Sequence, residues 1–320
     1  MTLIIKDLSK SSGDQLNIRG LSFSVDKGEV FGILGSDESG KTEILKILSG
    51  LEKKTNGTIE FDGKMIENGR KSGFLYVVEE TASRWKNIFS SSDSGSQAST
   101  HAKLTLAALE EVENVLLFEN PVQNLDVIQT NTISRRIKKI TKEKGICTIV
   151  VSNDPAEIFG LCDRVAILDN GELVQTGSPR EVYTNPNCTA SARLFGNNNL
   201  IAVRRITSSK SEMPEFFTVE GEHRIVTDPV EKSELGALNE TITLAILPEH
   251  LALSFGASFP EDNLLKVRVE NIEFHGPTTS ITLNAGGLIL RAIVLRTVGL
   301  NIGDECMVGL PPDRIKILKT

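Results

Sequence analysis

VFGILGSDESGKTEILKILSG, residues 30–50, is the stretch on which the fold turns. It opens with a run of apolar and glycine residues ending at Gly35, and closes with Ile44, Leu45, Ile47 and Leu48 at helical spacing before Gly50. Between the two, GSDESGKT matches the pattern G-x-x-x-x-G-K-[ST], with Gly35, Gly40, Lys41 and Thr42 in place. In such a loop glycines let successive backbone N–H groups converge on phosphate. The following helix adds its positive N-terminus, the lysine neutralises charge, and the hydroxyl serves Mg2+. The bland alternative is a chance glycine-rich turn; a credible strand before the motif and a credible helix after it weigh against that. One feature runs the other way. Asp37 and Glu38 place two carboxylates inside a loop suited to a polyanion, and should weaken phosphate binding.

The rest of the chain is ordinary for a globular protein: 320 residues, 39% hydrophobic and 24% charged, enough for one large domain and a smaller one. A net charge of -7 argues against nucleic acid as a partner. Cys147, Cys162, Cys188 and Cys306 show neither C-x-x-C pairing nor the density of a disulfide framework, so they read as small hydrophobes in a reducing compartment. No apolar run reaches membrane-spanning length and the start, MTLIIKDLSK, lacks the pattern of a signal peptide, so a cytoplasmic protein is expected.

Outward from the loop, short β-rich runs alternate with helical ones, the pattern of a parallel or mixed sheet covered by helices. Strands are expected at LNIRGLSFSV, EVFGILG, GTIEFDG, GFLYVV, NVLLFEN, CTIVVSN and RVAILD, the last turning through Asp169, Asn170 and Gly171 into ELVQTG. The unbroken runs VLLF and TIVV predict strands buried on both faces. A second helix is expected near 125–144, with Ile128, Ile133, Ile137 and Ile140 as its buried stripe and Gly145 as its stop. Residues 90–100, SSSDSGSQAST, read on composition as a solvated linker. After FGNNNLI the helical pattern vanishes. LLKVRVENIEF, TTSITLNAGGLILRAIV and ECMVGL then predict a small all-β barrel of the oligonucleotide/oligosaccharide-binding kind.

Order and spacing of these segments resemble the ATP-binding subunits of ABC transporters, in particular importers with a C-terminal β-barrel (TOBE) domain of the maltose, iron, molybdate and polyamine type. VENVLLFENPVQNLD, 112–126, resembles the Walker B strand and the D-loop, which falls on Asp126. CTIVVSNDPAEIFGLCDRVAILDNGELVQTGSPREVYTNP resembles the switch-histidine strand and the hairpin after it, and LAILPEHLALS, 244–254, a stretch of the C-terminal domain. The resemblance implies an α/β P-loop ABC-type domain over 1–196, with a shortened helical subdomain, and a small all-β OB-like (TOBE) domain over 197–320. It also implies ATP and Mg2+ as ligands, the nucleotide held by Gly35, Ser36, Ser39, Gly40, Lys41, Thr42 and Glu43, and the metal by Thr42 and Glu119.

Departures from the family pattern cluster at the chemistry. Where the family has the Walker B Asp-Glu pair, this chain has Glu119 and Asn120, and an asparagine cannot accept a proton as the base. The switch histidine falls on Asn153, the metal-sensing glutamine on Glu79, and the aromatic that stacks on adenine on Ser12. Too few residues separate Trp85 from Thr100 for a multi-helix subdomain. There DSGSQ reads either as linker or as a degraded signature carrying Ser94, Gly95 and Gln97. The expectation is an importer subunit that binds ATP with weak or absent hydrolysis, in a homo- or heterodimer with another nucleotide-binding subunit. It would work beside membrane permease subunits at the inner face of the membrane. Two alternatives stay open: a non-catalytic regulatory or scaffold protein, and a slow ATPase.

Overall fold

The computed structural model describes residues 2–12, 15–67, 69–77, 105–194, 198–205, 213–231, 235, 237–255, 261–296 and 299–318. They fall into two compact units, Met1–Val182 and Tyr183–Thr320.

In the first unit a six-stranded sheet runs in the order Glu172–Gly177, Arg164–Asp169, Val30–Gly35, Cys147–Ser152, Val115–Glu119, Phe74–Val77. All neighbours are parallel except the first pair, a hairpin through Asn170 and Gly171, whose φ of 47° and 80° suit a tight primed turn. Val30–Gly35 and Cys147–Ser152 are buried throughout, as their unbroken apolar runs require. A four-stranded antiparallel sheet, in the order Gln15–Asp26, Thr2–Ser12, Asn56–Phe61, Lys64–Met65, lies on the same core. Leu3, Ile5 and Ile59 pack there with Ile33, Leu117 and Ile149 and with Ile44, Leu45 and Leu48 of the helix Lys41–Ser49.

Two sequence expectations need correction. Thr2–Ser12 is a strand that pattern reading passed over, because register shifts after Ile5 and a positive φ at Asp7 break its alternation. In the helix Val127–Lys144, Ile133, Ile137 and Ile140 are buried, but Ile128 is 79% exposed. Five residues before Ile133 it stands about 140° around the helix from it, so the stripe cannot include both. Gly145 does end this helix, at φ 61°.

The second unit holds two five-stranded sheets, and every strand pair in them is antiparallel. Phe216, Ile201, Leu244, Val267, Leu283, Leu290 and Val308 share one core. Two buried asparagines cross from sheet to sheet. Asn199 accepts from Arg291 N at 2.6 Å and donates to Arg291 O at 2.9 Å; Asn263 accepts from Val226 N at 2.7 Å and donates to Val226 O at 2.9 Å. Each side-chain amide pairs with a strand as another strand's peptide would.

Candidate nucleotide site

Because the strands Val30–Gly35, Cys147–Ser152 and Val115–Glu119 run parallel, their C-terminal ends meet at one edge, where open α/β sheets bind ligands. The loop 35–40 begins there. Gly35 admits no side chain: a Cβ would lie 2.4 Å from Leu168 O and 2.5 Å from Ser39 Oγ. Asp37–Ser39 form one 3-10 turn, with Ser39 N on Ser36 O at 3.1 Å, and Gly171 N donates to Ser39 O at 3.2 Å. Gly40, at φ 93°, starts the helix Lys41–Ser49, and a Cβ on it would sit 2.8 Å from Asn17 O.

Lys41 is buried, 4% exposed, and its ammonium turns back into the loop. Nζ donates to Gly35 O at 2.8 Å, to Ser39 Oγ at 3.1 Å and to Ser36 O. Burial pushes its pKa below the ordinary lysine value, while the charges of Asp37, Glu119 and Glu43 act in the opposite sense. The Thr42 hydroxyl donates to Glu119 Oε1 at 2.5 Å, and the Tyr76 hydroxyl to Glu119 Oε2 at 2.8 Å. A hydroxyl and a carboxylate are hard oxygen donors, and Mg2+ in nucleotide sites takes one or two such protein oxygens with phosphates and water. The residues present therefore fit the metal.

Asn120 follows Glu119 at φ 46°, with its N–H on Val151 O at 2.9 Å. Asparagine occupies this left-handed region more readily than glutamate does. Asn153 is exposed at the end of its strand, and its Nδ2 donates to Asp37 Oδ1. Beneath it, buried Glu157 accepts from Ser152 Oγ at 2.5 Å and from Val122 N at 3.0 Å, tying the turn after Asn120 to the turn after Ser152. Asp126 caps the helix Val127–Lys144: its carboxylate accepts from Gln129 N at 2.8 Å while its own N–H donates to Gln129 Oε1.

The structure thus brings together Gly35, Ser36, Ser39, Gly40, Lys41, Thr42, Glu43, Glu119 and Asn153, with Asn120 adjoining Glu119 in the chain. Ser12 pairs with Gln15 at the end of its strand. Glu79, Ser94, Gly95 and Gln97 lie outside the described residues. Sequence reasoning missed Tyr76, which holds Glu119 from the adjacent strand of the sheet, and Glu157. It also missed the Asp37–Asn153 link, which joins residues 116 apart.

Residues 18–146 match the family model "ABC transporter", and residues 244–318 match "TOBE domain". The chain thus carries an ABC transporter domain followed by a TOBE domain. The glucose import ATP-binding protein GlcV of Saccharolobus solfataricus is 26% identical over 99% of each chain. The molybdate/tungstate import ATP-binding protein WtpC of Pyrococcus horikoshii is 27% identical over 98% of this chain and 99% of its own. The spermidine/putrescine import ATP-binding protein PotA of Protochlamydia amoebophila is 24% identical over 89% and 86%. No helix among the described residues is long and apolar enough to cross a membrane.

Proposed function

We propose that this chain is the ATP-binding subunit of an ABC importer, that it holds MgATP at residues 35–43, and that it hydrolyses ATP slowly or not at all on its own. The observation that carries the reading is the Thr42–Glu119 hydrogen bond, which unites the phosphate loop with the neighbouring strand end beside Lys41. The relatives' shared description as import ATP-binding proteins supports the transport role. In this reading the backbone N–H groups of 36–42 and Lys41 take the phosphates, with Lys41 exchanging its bonds to Gly35 O and Ser36 O for them. Thr42 and Glu119 hold Mg2+, which supplies charge neutralisation for the phosphates. At the position of the base stands Asn120, whose amide takes up no proton; loss of a general base typically slows a reaction by about 10² to 10⁴. Asn153 carries no titratable charge at the switch position, and Ser12 offers no ring for the nucleobase to stack on. A competent second nucleotide-binding subunit would complete the pair. Membrane permease subunits at the inner face of the membrane are the further partners.

Calorimetric titration with MgATP and a phosphate-release assay test this on the full chain. The wild type is expected to bind ATP weakly and release phosphate at background, and Lys41→Ala to abolish binding. Asn120→Glu is expected to raise turnover at a cost of about 1 kcal/mol in stability from the left-handed backbone. No binding of either ATP or ADP at millimolar concentration would refute the nucleotide site. A wild-type rate comparable to working transport ATPases, lost in Lys41→Ala, would refute the weak-hydrolysis reading.

A further inference from the structure

Asp37 and Asn153 stand just past the ends of two neighbouring parallel strands, paired in register from Val30 and Thr148 to Leu34 and Ser152. That placement lets the Asn153 amide reach across and donate to the Asp37 carboxylate. An exposed aspartate on a loop would otherwise swing into solvent, away from a polyanion. Here the amide restrains it on the loop.

The charge around the loop is one-sided. Residues 35–43 carry one ammonium, that of Lys41, against the carboxylates of Asp37, Glu38 and Glu43, and Glu119, bonded to Thr42, adds a fourth. Lys41 Nζ donates to the carbonyl of Ser36, the residue just before Asp37. A lysine at this position of the motif reaches the β- and γ-phosphates. The outermost phosphate therefore approaches the loop at Asp37, and each added phosphate charge meets repulsion from its carboxylate. Glu119 is held away from that role, since both its oxygens accept hydroxyl protons from Thr42 and Tyr76.

We propose that Asp37, positioned by Asn153, is a specificity-determining residue that makes this loop prefer a nucleoside diphosphate to the corresponding triphosphate. The inference rests on the nucleotide-binding reading above and adds the class of ligand that the loop selects.

Calorimetric titrations of the full chain with ADP and with ATP, each with Mg2+, decide it through the ratio of the two affinities. The wild type is expected to bind ADP more tightly than ATP. Asp37→Asn, which keeps size and removes charge, is expected to move the ratio toward ATP by about tenfold. Asn153→Ala frees the carboxylate without removing it, and is expected to move the ratio in the same direction by less. A general structural defect would weaken both nucleotides alike and leave the ratio where it was. An unchanged ratio in Asp37→Asn, or a wild type that binds ATP as tightly as ADP or more tightly, would overturn the inference while leaving nucleotide binding intact. If neither nucleotide binds the wild type or Asp37→Asn, the nucleotide-binding reading falls and takes this inference with it.

Discussion

In the unit Met1–Val182 the strands at the heart of the sheet run parallel, so Gly35, Glu119 and Ser152 close at the same edge and the loops after them meet. Lys41, Thr42, Glu119, Asp37 and Asn153 are joined there by hydrogen bonds between side chains and loop. In the unit Tyr183–Thr320 neighbouring strands run antiparallel, so consecutive ends fall at opposite edges and no edge gathers them. Its inward faces make an apolar core around Phe216, and its buried amides bond to backbone. Strand direction thus bears on where polar chemistry can accumulate: one unit gathers it at a sheet edge, while in the other buried Asn199 and Asn263 hold the sheets together.

Paired substitutions break that contrast if it is wrong. Phe216→Ala, at a fully buried side chain of the second unit, is expected to cost about 3 to 5 kcal/mol in urea-unfolding stability and to leave nucleotide affinity unchanged. Gly35→Ala, whose methyl would meet Leu168 O and Ser39 Oγ, is expected to cost less stability, about 1 to 3 kcal/mol, and to abolish nucleotide binding. A Phe216→Ala protein that stays folded but binds nucleotide poorly would erase the distinction.

A smaller effect sharpens it, because buried Glu157 in one unit and half-buried His250 in the other should answer pH in opposite directions. Burial raises the pKa of Glu157, against the pull of its bonds from Ser152 and Val122. The folded state therefore holds that proton more tightly than the unfolded chain. Its contribution is full below the ordinary glutamate range and is lost as pH rises through the folded value. Burial lowers the pKa of His250, so its contribution is full above the ordinary histidine range and is lost as pH falls through the folded value. Relative to wild type, Glu157→Gln should gain stability as pH rises from about 4 to about 7, and His250→Gln as pH falls from about 7 to about 5. Urea unfolding across that range measures both, and trends of the same sign in the two variants would contradict the assignment.

Much of the first unit was legible because its signals are local. The loop 35–42 is one contiguous motif, and VLLF and TIVV announce strands buried on both faces. Asn263–Phe274 likewise shows its inward face through alternation, with Asn263, Leu265, Val267 and Val269 buried. What escaped has no local signature. Asp37 and Asn153 are joined only because two strands lie side by side, and Tyr76 reaches Glu119 only because Phe74–Val77 pairs with Val115–Glu119. Asp126 reads as a family motif in the sequence, yet its geometry is that of a helix cap. Ile128 was misplaced because an apolar residue in a first turn counts toward a stripe only if its angle agrees.

The two asparagines that cross between sheets also bear on the order in which the second unit assembles. Asn199 bonds to a strand 92 residues away, and Asn263 to strands 37 and 47 residues away. Among the described residues, the Asn199–Arg291 pair spans more of the chain than any strand pairing in the unit, so its closure entropy is recovered only after the hairpins have formed. Bonds made after the rate-limiting step hold the folded state shut without hastening its arrival. The Asn199 amide therefore acts on how long the two sheets stay together, and their speed of formation is left to the local hairpins such as Thr279–Ala285 with Leu288–Val294.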